Sequence, residues 1–168
     1  MDFPKPQIEQ SLNPRDYKVI VCVAGTRYFN DKRFFHEKIL EFLAMQTEPV
    51  LFVSGAAASG ADDLIIRWCD RFRYPCKRMP ADWNNDRGLP NFNKNAAGFM
   101  RNEEMAQIIT HLLAFFDGES HGTQDMIARC EDKKRHIQIF TIPKQPTQEN
   151  LNLFAQSQSN NSAQAGHA

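Results

Sequence analysis

Residues 17–24 read YKVIVCVA, and this run decides the fold class. From Val19 onward every residue is apolar and most are β-branched. An amphipathic helix would break such a run with polar positions, and a strand with one wet face would alternate. An unbroken apolar run suits a strand covered on both faces, as in parallel sheets. The next segment of the chain supports that choice. After Gly25-Thr26-Arg27, a helix is predicted over about 31–46, capped by Asn30 or Asp31, with Phe35, Ile39, Phe42 and Leu43 on one face.

The same alternation continues along the chain. Val50–Val53 is a second short buried strand, and the small-residue turn SGAAASGA (54–61) leads into a helix over about 61–74. Leu64, Ile65, Trp68, Cys69 and Phe72 form that helix's inner stripe, and its charges run from Asp62 and Asp63 to Arg71 and Arg73, in the order the helix dipole favours. Cys76–Met79 is a third strand, and ADWNNDRGLPNFNKN (81–95) reads as a loop. A helix over about 96–109, a strand at 111–116, a helix over about 123–134 and a strand at 136–142 complete the pattern. Strands alternating with helices predict βαβ units and a mainly parallel sheet of about five strands, with helices on both faces. The domain is expected over 17–144. A polar arm (1–16) precedes it, and a Gln/Asn/Ser-rich tail (145–168) with few apolar anchors, expected to be disordered, comes after it.

Composition narrows the function classes. The 20 basic and 20 acidic residues cancel, which argues against affinity resting on a broad nucleic-acid face. No apolar run is long enough to span a bilayer, and the N-terminal residues hold no apolar signal core, so neither a membrane partner nor export is expected. The four cysteines form no CxxC pair, and three lie in apolar periodic segments. They read as small buried hydrophobes in a reducing, cytoplasmic setting. The five histidines show no HxxxH spacing, so neither a metal nor a cofactor is expected.

Glycines gather where a parallel sheet binds ligands, beyond the carboxyl ends of the strands. Gly25-Thr26-Arg27 follows strand one, Ser54-Gly55 and Ser59-Gly60-Ala61-Asp62 follow strand two, and Asp117-Gly118-Glu119-Ser120-His121-Gly122-Thr123 follows strand four. Glycine allows close backbone approach, and helix N-termini offer N–H donors to an anion. Glycine also fills βα turns that bind nothing. Three such turns on one edge, with hydroxyls at Ser54, Ser59, Ser120 and Thr123, favour a phosphate site. Gly55-x4-Gly60 begins like a P-loop, but Ala61 and Asp62 stand where that loop needs Lys and Ser/Thr, and GxGxxG is absent. These absences exclude a P-loop NTPase and leave an ordinary nicotinamide oxidoreductase without support.

Five segments taken in order, GTR, SGAAASGAD, PADW, AAGFMRNEEM and AFFDGESHGTQDMI, resemble the YpsA-related branch of the SLOG superfamily over roughly residues 18–142. The resemblance implies a Rossmann-like three-layer α/β/α fold and a nucleotide or nucleotide-derived ligand, sensed or processed. It also brings a homodimer as an expectation. Relatives include the LOG phosphoribohydrolases, the DNA-processing protein DprA and molybdenum cofactor carriers. Arg101-Asn102-x-x-Met105 is similar to the active-site helix of the LOG enzymes, and the turn ending Gly122-Thr123 is similar to their PGGxGTxxE motif. Glu119 and Ser120 replace its paired glycines, and Met126 stands at its glutamate. Asp125, the nearest carboxylate, is one residue and about 100° of helix away. Hydrolysis of a nucleotide N-glycosidic bond is thus the alternative activity, with Arg101, Asp125 and Glu119 as its candidates, and DprA-like nucleic-acid handling is a second.

Each candidate also has a plain structural reading. Arg101, a cation near a helix start, is unfavourable to the dipole, so a ligand role is preferred over a salt bridge with Glu104 or Glu37. Arg27 divides evenly between phosphate contact and exposed loop cation. For Asp62, helix capping is preferred over contact with a ribose. Asp82 and Trp83 follow strand three, and Trp83 is expected to pack under its loop rather than stack on a base. His121 is expected to be solvated.

Overall fold

The computed structural model describes residues 10–145 and 147–164, without the side chains of 161–164. The elements in chain order are β1 (Val19–Gly25), α1 (Lys32–Ala44), β2 (Val50–Ser54), α2 (Ala61–Phe72), β3 (Cys76–Arg78), α3 (Ala97–Ile108), β4 (His111–Phe116), α4 (His121–Asp132), β5 (His136–Thr141) and α5 (Gln148–Gln164). The five strands form one sheet in the order β3-β2-β1-β4-β5, and every pairing is parallel. Helices flank both faces in a Rossmann-like three-layer arrangement. No described helix is long and apolar enough to cross a membrane.

The apolar run of β1 explains the layering. Val19, Val21 and Val23 face one core with Phe35, Ile39, Leu64, Ile65 and Trp68 of α1 and α2. Ile20, Cys22 and Ala24 face the other with Met105, Met126, Ile127 and Cys130 of α3 and α4. β1 is the central strand, and only a residue sequence without polar interruptions can serve two cores at once. From β1 the chain winds to β2 and β3, then returns to lay β4 on the opposite side of β1. The carboxyl ends of β1 and β4 therefore flank the topological switch point, the place where open α/β sheets bind ligands.

Two boundaries differ from the sequence reading. α4 begins at His121, two residues earlier than expected, because Ser120 takes the N-cap position. The polar tail expected to be disordered forms α5 instead, exposed over 148–160. Of the expected arm, residues 1–9 lie outside the described residues, and Pro14–Asp16 form a single 3₁₀ turn capped by Asn13.

Candidate functional site

A cavity of about 510 Å³ opens at the switch point. The β1 turn supplies Gly25, Thr26 and Arg27 to its wall, and α2 supplies Asp62. Trp83 closes one end with the start of α3, whose Arg101 and Asn102 reach further in. Glu119, Ser120, Gly122 and Thr123 come from the β4–α4 turn. Three sheet-end turns and α3 therefore meet in one place.

In the β2–α2 turn, Ser54, Gly55 and Asp62 are engaged within the protein itself. Ser54 is fully buried, donates to Asp62 O at 2.8 Å and accepts from Ala56 N at 3.0 Å. The Asp62 carboxylate accepts from Ala57 N at 3.1 Å, so it ties the turn down instead of capping α2, whose N-cap Gly60 has no side-chain cap. Gly55 O accepts from the Arg101 guanidinium. A Cβ on Gly55 would fall 2.6 Å from Arg101 Nη1, so glycine there makes the arginine's seat. Gly60 has φ +75°, and a Cβ on it would fall 2.5 Å from Thr26 O, so this glycine lets the β1 and β2 turns touch. Ser54, Gly55, Ser59 and Gly60 thus support the cavity from behind or beside it and do not line it.

Arg101 and Asn102 bridge three elements. Arg101 Nε donates to Asn102 Oδ1 at 3.2 Å. Asn102 Nδ2 donates to Gly122 O at 3.1 Å and to Asp125 Oδ2 at 2.9 Å. The salt-bridge alternative for Arg101 is not realised: Glu104 pairs with Arg87 and Glu37 with Arg33. Asp125 does not line the cavity and is engaged by Asn102 and by Arg129 Nε, both at 2.9 Å. Glu119 stays at the mouth, where Lys144 pairs with it at 2.6 Å. Asp82 accepts from Asp86 N at 2.8 Å and Arg87 N at 3.1 Å, closing its own loop away from the cavity. Trp83 is 42% exposed and lines the cavity, which overturns the expectation that it packs under the loop. His121 is exposed, and Gly118 turns the chain at φ +87° outside the wall.

Asp117 and Tyr28 also line the cavity, and the motif reading did not single them out as site residues. Asp117 Oδ1 accepts from the N–H groups of Glu119 and Ser120, both at 2.9 Å, and its Oδ2 accepts from the Tyr28 hydroxyl at 2.6 Å. Burial pushes this carboxyl up, but Tyr28, the Glu119 and Ser120 amides and the Thr26 hydroxyl outweigh it and hold the pKa at about 2. Asp117 thereby occupies the two loop amides just before α4. Ser120 makes no side-chain cap there; its hydroxyl lies 3.1 Å from that of Thr123. Thr26 is 3% exposed, and its Oγ1 lies close enough to the Asp117 carboxylate to help lower that group's pKa, without a well-formed hydrogen bond of its own. The signal for Asp117 was its position, the first polar residue after an apolar strand.

Asp62 differs electrostatically. Burial raises its pKa, and the Ala57 amide, Arg101 and Arg27 only partly offset that.

No family model matches the chain, and no curated protein or solved structure is significantly similar to it.

Proposed function

We propose that this chain binds a nucleotide or nucleotide-derived ligand at the switch-point cavity, as the resemblance to YpsA-related SLOG domains implies. The observation that carries the reading is the start of α4, which no side chain caps, set in the wall of a cavity at the switch point of the sheet. Such a helix start, with its N–H groups and partial positive charge, suits a phosphate. Arg27, exposed and lining the same cavity, adds a full charge. The volume of about 510 Å³ falls in the range of small-molecule sites.

Binding receives more support than turnover. N-glycosidic hydrolysis needs a carboxyl group beside the reacting carbon, and Asp125 and Glu119 are held by Arg129 and Lys144 instead. Asp62 is the cavity carboxyl whose proton affinity burial raises, so the hydrolytic alternative falls to it.

Calorimetric titration with nucleoside monophosphates, NAD and ADP-ribose tests the proposal. At least one should bind, and Arg27→Ala should weaken it by roughly 10- to 100-fold, the loss of one charge-assisted contact. No binding to any of them would overturn it. Release of free base, lost in Asp62→Asn, would turn the reading to hydrolysis.

A further inference from the structure

Part of the cavity wall has a different chemistry. Trp83 and Phe99 line it, 42% and 40% exposed. A lone exposed aromatic is ordinary. Two in one cavity wall are not, because the fold gains little from leaving large rings wet. Trp83 enters from the loop after β3, and that loop is fastened by Asp82 to its own backbone and by Arg87 to Glu104 of α3. Phe99 projects from the first turn of α3, next to Gly98. A Cβ on Gly98 would meet Trp83 Cη2 at 3.3 Å. The indole therefore rests against α3 where a side chain would crowd it. Its placement is built in, although no part of the described chain hides it from solvent.

The cavity wall thus combines polar and charged groups with two exposed aromatic rings. We infer that the ligand carries a flat aromatic ring, the base of the nucleotide, which packs against Trp83 and Phe99, and that these two residues set which phosphate-bearing molecules are retained. The inference rests on the proposed nucleotide binding and adds the orientation: phosphate toward α4, base toward the start of α3. Stacking a base on an aromatic side chain is worth roughly a 10- to 100-fold gain in affinity.

The test compares ribose 5-phosphate, adenosine 5′-monophosphate and uridine 5′-monophosphate by calorimetry and by tryptophan fluorescence. Trp68 is 6% exposed, so a ligand that reaches the cavity quenches Trp83. Both nucleotides should bind at least 10-fold more tightly than ribose 5-phosphate. Trp83→Leu should bring them down to within a few-fold of ribose 5-phosphate. Gly98→Ala, which keeps the helix and crowds the indole, should weaken only the base-bearing ligands. Phosphate-bearing ligands binding equally well with or without a base would overturn the inference and leave the phosphate site standing. Full nucleotide affinity in Trp83→Leu and Phe99→Leu would do the same. No binding of any of the three would remove both.

Discussion

Thr26 and Asn102 are both buried polar residues of the cavity, at 3% and 5% exposure, and they have opposite relations to stability. Asn102 is bound on both ends of its amide, to Arg101, Gly122 and Asp125. Replacing it with Ala strands these partners, and we expect a loss of about 1–3 kcal/mol in urea unfolding. Thr26 Oγ1 makes no well-formed hydrogen bond, only an approach to the Asp117 carboxylate, so Thr26→Val removes little from the fold. Stability should stay level or rise by up to about 1 kcal/mol, while nucleotide affinity falls. A large destabilisation in Thr26→Val would show that the hydroxyl serves the fold rather than a ligand. At this scale the sequence was legible in part. Motif order pointed to Arg101, Asn102, Thr26 and Thr123, all of which line the cavity. It could not separate them from Ser54, Asp82 and Asp125, whose polar atoms are used by the backbone or by neighbouring helices. That difference depends on which way a side chain turns, and residue type does not carry it.

The helices show where periodicity is informative and where it is not. α2 could be read almost to the residue, because its Leu64–Ile65–Trp68–Cys69 stripe is buried and its charges follow the dipole. α5 was missed because it has no such stripe. Leu151, Leu153 and Phe154 are 49%, 59% and 67% exposed, so no tertiary contact recorded the helix in the sequence pattern. A local signal was present: Thr147 Oγ1 accepts from Asn150 N at 3.3 Å, a weak cap, and Glu149 sits in the first turn. Without packing, a 17-residue helix is marginal in water. The bonds that fasten the chain after β5 to the cavity rim, Gln145 N to Tyr28 and Lys144 to Glu119, precede α5. A chain ending at Gln145 should therefore unfold within about 0.5 kcal/mol of the full chain. Its helical signal by circular dichroism should drop. A stability loss of several kcal/mol would mean that α5 docks on the domain.

For the whole molecule, the parallel sheet and its two helix layers could be read from β1 outward, but the strand order could not, since either neighbour of β1 satisfies the same apolar pattern. The return to β4 brings Asp117 beside Tyr28 and the α4 turn, and this long-range meeting gives the protein a dependence on acid. Despite burial, hydrogen bonds hold Asp117 at about 2 against an ordinary 3.8. Glu103 is also held at about 2 against 4.5, by Lys133 and Arg129. Both pKa values are depressed in the folded state, so each carboxylate's contribution is complete above its unfolded pKa and is lost as pH falls through the folded one. Asp62 has the opposite sign: burial raises it, so its contribution is present in acid and lost as pH rises through its folded pKa. The two depressed groups should dominate, and stability should decline between roughly pH 4.5 and pH 2. Asp117→Asn isolates the cavity's share. The variant should be less stable than the parent by about 1–2 kcal/mol at pH 7, where the parent's charged hydrogen bonds are intact. That gap should narrow steadily as pH falls from 4 to 2, because the parent then loses the charge the variant never had. Urea unfolding of both proteins at pH 7, 4.5, 3 and 2 measures the gap, and a difference that stays constant across that series would refute an ionised Asp117 as the anchor of the β4–α4 turn.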